Sequence, residues 1–197
     1  MSRFRRIILI VGTPGVGKTA VSKLLASKID AVSINLADLV KREKLILSVD
    51  KVRGTLIADV DRIAKWVREM FESSGRDVVV DGHYAMDVVS AKDVHLVFVL
   101  RRNPDELKKT LESRGFREKK LWENLAAEIL DVCLWDAISA CGSEKVCEID
   151  VSHKEVEDVV KEILSVLNGE KKCRVGIVDW LGRLEAENRL HEFLKDF

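Results

Sequence analysis

The chain has 197 residues, enough for one α/β domain with a full core. Lysine plus arginine and aspartate plus glutamate both total 33, so the formal net charge is zero and global charge gives no argument for nucleic-acid binding. Behind the basic residues 1–6 the apolar run spans only Ile7 to Val11, too short for a signal-peptide core and far below the about 20 residues of a membrane span, which predicts a soluble, cytoplasmic protein without membrane contact.

The run Ile7-Ile8-Leu9-Ile10-Val11 reads as a buried strand. Gly12-Thr13-Pro14-Gly15-Val16-Gly17-Lys18-Thr19 follows and fits G-x-x-x-x-G-K-[ST] at every fixed position, with a helical pattern (Val21, Leu24, Leu25) behind it. Glycines there let backbone N–H groups turn inward around phosphate oxygens, and the helix N-terminus adds positive potential. Lys18 is then expected to reach the β- and γ-phosphates and the Thr19 hydroxyl to ligand Mg²⁺, so a nucleoside triphosphate is the implied ligand.

Residues 31–34 form a short apolar segment, and Asn35 is placed to cap a helix through about Lys44. Apolar residues at Leu56, Ile57, Val60, Ile63, Ala64, Val67, Met70 and Phe71 predict one helix over 56–73, ended by Ser73-Ser74-Gly75. Val78-Val79-Val80 is a second buried strand, closed by Asp81. Residues 94–100 are a third, after which Asn103-Pro104 opens a helix that stops near Gly115. A long helix is predicted over about 118–140, then a last strand at 146–149. Ser152-His153-Lys154-Glu155 reads as a capping box for a helix to Leu167. The pattern breaks at 168–172. Residues 175–197 hold a short apolar stretch and an amphipathic helix with Leu184, Leu190 and Phe193, expected as a helical appendage (169–197) on a 1–168 domain, with a partner-binding tail as the alternative.

Short β-branched runs separated by helices imply an α/β fold of the P-loop NTP hydrolase type, a five-stranded parallel sheet with helices on both faces. In such a fold a strand ending in an acid sets Asp81 beside the phosphate loop, where it can orient Mg²⁺ directly or through water. Gly82 is expected to leave room for phosphates, and His83 lies at the mouth of the same cleft, suited to orienting a water or reporting the nucleotide state. No catalytic role is expected for His95, His153 or His191. Cys133, Cys141, Cys147 and Cys173 show no C-x-x-C pairing, which predicts reduced, buried thiols rather than metal ligands or disulfides. Arg114-Gly115-Phe116-Arg117-Glu118-Lys119-Lys120 puts four cations at a Gly junction between helices, a short lid able to neutralise charge during phosphoryl transfer. Arg101 and Arg102, after the third strand, either reach the cleft or cap surface acids.

Taken together, G12-T-P-G-V-G-K-T19, I34-N-L-A-D-L39, D59-V-D-R-I63, V80-D-G-H83, L96-V-F-V-L-R101, L111-E-S-R-G-F116-R-E-K-K-L121, N124 and A127-E128-I129 make the chain resemble the adenylate kinase isoenzyme 6 family over roughly its first 165 residues. The resemblance implies an atypical nucleoside monophosphate kinase that phosphorylates AMP or another monophosphate. It also implies ATPase activity in small ribosomal subunit assembly, with a platform ribosomal protein of that subunit as partner. Gly15, Gly17, Lys18, Thr19, Ala20 and Arg114 would hold the ATP phosphates, residues of about 35–58 would bind the monophosphate, and about 113–123 would be the lid. Lys18, Asp81, His83 and Arg114 would be catalytic, with Thr19 and Asp81 toward Mg²⁺. The family often carries a second arginine four residues before the lid arginine, and here Thr110 stands in its place, which implies one phosphate clamp fewer.

Overall fold

The structure is a computed structural model and describes residues 5–50 and 55–194. The chain runs β1 (Ile7–Val11), α1 (Lys18–Ile29), β2 (Val32–Asn35) and α2 (Leu36–Arg42), then β3 (Ile46–Asp50) and β4 (Thr55–Ala58). Next come α3 (Val60–Ser74), β5 (Val78–Asp81), α4 (Ala85–Val88), β6 (Val94–Arg101) and α5 (Pro104–Ser113). The rest comprises α6 (Glu118–Ile129), α7 (Val132–Cys141), β7 (Val146–Asp150), α8 (Val156–Leu167), α9 (Trp180–Ala186) and α10 (Leu190–Phe193).

Five strands form one sheet in the order β2-β5-β1-β6-β7, every neighbouring pair parallel. Alternation along the strands divides the core. Ile8, Ile10, Val79, Phe98, Leu100 and Ile149 face α1, α5, α6 and α8, whereas Ile7, Leu9, Val78, Val80, Val97 and Val99 face α2, α3, α4 and α7. Helices therefore cover both faces, as the sequence predicts. Local chemistry sets the boundaries: Asn103 accepts from Asp105 N ahead of Pro104, Asp59 caps α3 by accepting from Arg62 N, and Gly75 ends α3 in the left-handed region at φ 66°.

The structure corrects several sequence expectations. Leu56 and Ile57 belong to β4, which pairs antiparallel with β3, so the helical stripe starts only at Val60. Part of the expected monophosphate-binding segment, residues 51–54, lies outside the described residues; its remainder forms α2 and the β3–β4 pair. The long helix over 118–140 is broken into α6 and α7 by Asp131, which adopts φ 58°. No capping box forms at α8, because the Ser152 hydroxyl donates to Asp150 Oδ1 and accepts from Asn103 N instead. The C-terminal helix is two short helices, and Trp180, Leu184 and Phe193 are buried in the α1/α8 side of the core. Cys147 and Cys173, expected to be free thiols, form a disulfide with Cα atoms 4.6 Å apart, while Cys133 and Cys141 stay free. The bridge fastens the segment after α8 to β7. Among the described residues, no helix is long and apolar enough to cross a membrane.

Candidate active site

The site is assembled at the C-terminal ends of β1, β5 and β2, where open α/β sheets bind ligands. Parallel register sets Asp81 level with Ile10 on one side and Asn35 on the other, so its carboxylate lies beside the loop that leaves β1. That loop turns at once. Gly12 adopts φ 135°, and a Cβ there would meet the Leu100 carbonyl oxygen at 2.5 Å, so β6 admits no side chain at this corner. Gly17, the N-cap of α1, is left-handed at φ 106°, and its carbonyl accepts from Ala20 N and Val21 N, so the Lys18 and Thr19 amides ahead of them are the ones a phosphate can meet at the helix N-terminus.

Three polar side chains meet at the first turn of α1. Thr19 Oγ1 donates to Asp81 Oδ2 at 2.9 Å, and Asn35 Nδ2 donates to the same oxygen at 2.7 Å and to Thr19 Oγ1 at 3.0 Å. Asp81 is 1% exposed, yet its Oδ1 is buried without a hydrogen-bond partner. A buried carboxylate oxygen left so calls for a cation or an ordered water. Together with the adjacent Thr19 hydroxyl it forms a hard-oxygen set that fits Mg²⁺, an ion that takes one or two protein oxygens and completes its shell with phosphate and water. Among the described residues no cluster of three or more His, Cys, Asp or Glu could hold a metal.

Lys18 Nζ is folded back onto the loop, donating to Gly12 O at 2.7 Å and to Thr13 O at 3.0 Å. Burial pulls its pKa below the ordinary lysine value; nearby Cys133, Asp81 and Glu128 oppose that shift, and Arg114 adds to it. Partial burial and then the Lys18 charge lower the His83 pKa, so its imidazole is neutral at pH 7, stacked edge-on against Tyr84 at 4.6 Å. Burial also pushes the Cys133 thiol up, leaving it neutral beside Lys18.

Lys18, Thr19, Asp81 and His83 are thus brought together, with Gly15 and Gly17 in the loop and Ala20 exposed on the first turn of α1. Arg114 stands apart, an exposed C-cap of α5 whose charge is nonetheless felt at Lys18. Its lid neighbours are engaged locally: Arg117 donates to the Glu112 and Phe116 carbonyls, Lys120 lies 5.3 Å from the Phe116 ring centroid, and Lys119 pairs with Glu123 at 3.8 Å. Thr110 spends its hydroxyl on the Glu106 carbonyl. Gly82 serves packing, since a Cβ there would meet Leu36 of α2 at 3.0 Å. Arg101 neither lines the cleft nor caps the surface; it is buried beneath the phosphate loop among Glu128, Asp131 and Glu148. Sequence reasoning gave Asn35 a cap, which it does provide to Asp38 N, and a place at the start of the monophosphate-binding segment, but missed its bond to Asp81. Its position at a strand end level with Asp81 was the available signal.

Comparisons with known proteins bear on the family and the fold. The AAA domain profile matches residues 8–131. A relative from Thermococcus onnurineus named "Putative adenylate kinase" is 41% identical over 174 residues, 88% of this chain and 91% of the relative. One of the same name from Methanocaldococcus jannaschii is 39% identical over 174 residues, 88% of this chain and 92% of the relative. Among solved structures, shikimate kinase from Acinetobacter baumannii superposes with a TM-score of 0.62 at 16% identity, covering 85% of this chain and 95% of that one, a likeness of fold. The chain belongs to the archaeal adenylate kinase family of the AAA domain class, and is a nucleotide kinase of the P-loop fold.

Proposed function

We propose that the protein transfers the γ-phosphoryl group of Mg·ATP to a nucleoside monophosphate, AMP first among them. The observation that carries the reading is the convergence of Lys18, Thr19 and the unpartnered Asp81 Oδ1 at the N-terminus of α1. The relatives' name supports AMP as acceptor. In this mechanism the loop amides and Lys18 hold the triphosphate, the ammonium exchanging the Gly12 and Thr13 carbonyls for phosphate oxygens. Thr19 and Asp81 would hold Mg²⁺, which would supply positive charge to the phosphates. Arg114 closes from the lid over the charge that builds up in transfer. The protein contributes positioning and electrostatics, with little covalent chemistry of its own.

A second reading, hydrolysis of ATP with water as the acceptor, is favoured by the exposed corner between α5 and α6, which would give water access to the γ-phosphate, with neutral His83 suited to orient it. A coupled assay of ADP production separates the two. Stimulation of turnover by AMP supports the kinase. Turnover that no monophosphate raises overturns it.

A further inference from the structure

Beneath the phosphate loop lies a set of charged side chains that phosphoryl transfer leaves unassigned. Glu128, in the last turn of α6, is 2% exposed and accepts three hydrogen bonds. Thr13 Oγ1 donates to its Oε2 at 2.6 Å, and Arg101 Nε and Arg102 N donate to its Oε1 at 2.9 and 3.0 Å. Burying a carboxylate is costly unless it is paired and hydrogen-bonded, and Arg101 supplies the pairing. Burial opposes the Arg101 charge, but Glu128, Asp131 and Glu148 outweigh it and raise its pKa, so the guanidinium stays protonated.

Thr13 is therefore held from two sides. Its hydroxyl makes a charge-assisted bond to Glu128, and its carbonyl accepts from Lys18. The residue is 1% exposed, so no water competes for either group. Fixing both ends of one residue fixes the turn from Gly12 to Pro14, and with it the resting place of the Lys18 ammonium. Glu128 rides on α6, the helix that starts directly beyond the lid corner, so the same bond ties the loop to the lid.

We propose that Glu128 is a positioning residue that acts through Thr13, holding the phosphate loop in the conformation that accepts the triphosphate, with Arg101 pairing with its carboxylate from the other side. The inference rests on the reading of this loop as the nucleotide site and is independent of the acceptor.

The test is equilibrium binding of Mg·ATP to the full chain without any monophosphate, alongside kcat, KM and Tm. Thr13→Val removes the hydroxyl and should weaken ATP binding at least about tenfold, with Thr13→Ser returning to within about threefold of wild type. Glu128→Gln should weaken binding in the same sense. If it fails to fold, the Thr13 pair decides alone. A purely structural bond would lower Tm and leave the ATP Kd within twofold, and that result for Thr13→Val overturns the proposal, as does failure of Thr13→Ser to restore binding. Wild-type protein that does not bind Mg·ATP marks failure of the nucleotide-site reading. Wild type that binds but is not stimulated by monophosphates marks failure of the kinase reading alone, with the Thr13 comparison still decisive.

Discussion

The molecule holds two concentrations of charge around one loop, and they are built in opposite ways. Under the loop, Arg101, Glu128 and Glu148 are each 3% exposed or less, each nitrogen of the guanidinium engaged by an oxygen on α6, β7 or the α6–α7 corner. At the α5–α6 corner, Arg114, Arg117, Lys119 and Lys120 are exposed about a turn made by Gly115 at φ 83°, and the Arg114 charge is felt at Lys18. A buried cation is committed to its partners because leaving them would cost desolvated charge, whereas an exposed one rearranges cheaply. The first sort of arginine sets a shape. The second is free to follow a ligand.

Substitutions should separate these roles, and the largest effect is expected below the loop. Arg101→Met strands buried carboxylates and should cost about 3–5 kcal/mol, lowering Tm by roughly 10 °C or more in thermal unfolding. A smaller loss would mean that the acids take up protons and the cluster is less charged than its geometry suggests. Arg114→Ala is expected to leave Tm within about 2 °C while reducing kcat roughly 100-fold in the coupled assay. Equal losses of Tm and activity would erase the contrast. The smallest effect concerns the C-terminal helices. Arg189 Nη2 donates to Asp105 Oδ1 at 2.7 Å, and this bond, more than any other influence, holds the Asp105 carboxyl below its ordinary range. A depressed folded pKa gives stability that is present above the unfolded value and lost as pH falls through the folded one. Protease access to the segment after α8 should therefore rise slightly as pH falls through and below the ordinary aspartate range, the gain being small because both groups meet solvent. Arg189→Met should show that access already at neutral pH.

The upper half of this comparison was legible in the sequence and the lower half was not. Gly12 to Thr19 between an apolar run and a helix, and Asp81 at the end of Val78-Val79-Val80, announce themselves because chemistry and periodicity coincide. Four cations at a glycine corner between two helices are equally plain. Glu128 looks like any polar residue of an amphipathic helix, and its burial follows from packing against a loop more than a hundred residues away. One clue existed: Glu148 interrupts the buried strand Val146-Cys147-Glu148-Ile149, and an acid there requires a partner. The break at Asp131 was hidden for a related reason, since α6 and α7 keep a helical pattern across it while Asp131 turns to reach Arg101. The β3–β4 pair was masked because Leu56 and Ile57 fall in phase with the stripe of α3. The disulfide leaves no spacing signature, as Cys147 and Cys173 are brought together only by the return of the chain after α8.

That return has a bearing on how the molecule behaves in company. β7 ends the sheet, so its outer side would present unpaired amides and carbonyls to any passing strand. The chain covers part of it with its own backbone: Glu148 N donates to Arg174 O at 2.8 Å, Ile177 N donates to Glu148 Oε2 at 2.8 Å, and the Cys147–Cys173 bridge pins the strap in place. The residue that helps hold Arg101 beneath the phosphate loop thus also anchors a guard against edge-to-edge self-association. Solubility and the shape of the site share one carboxylate.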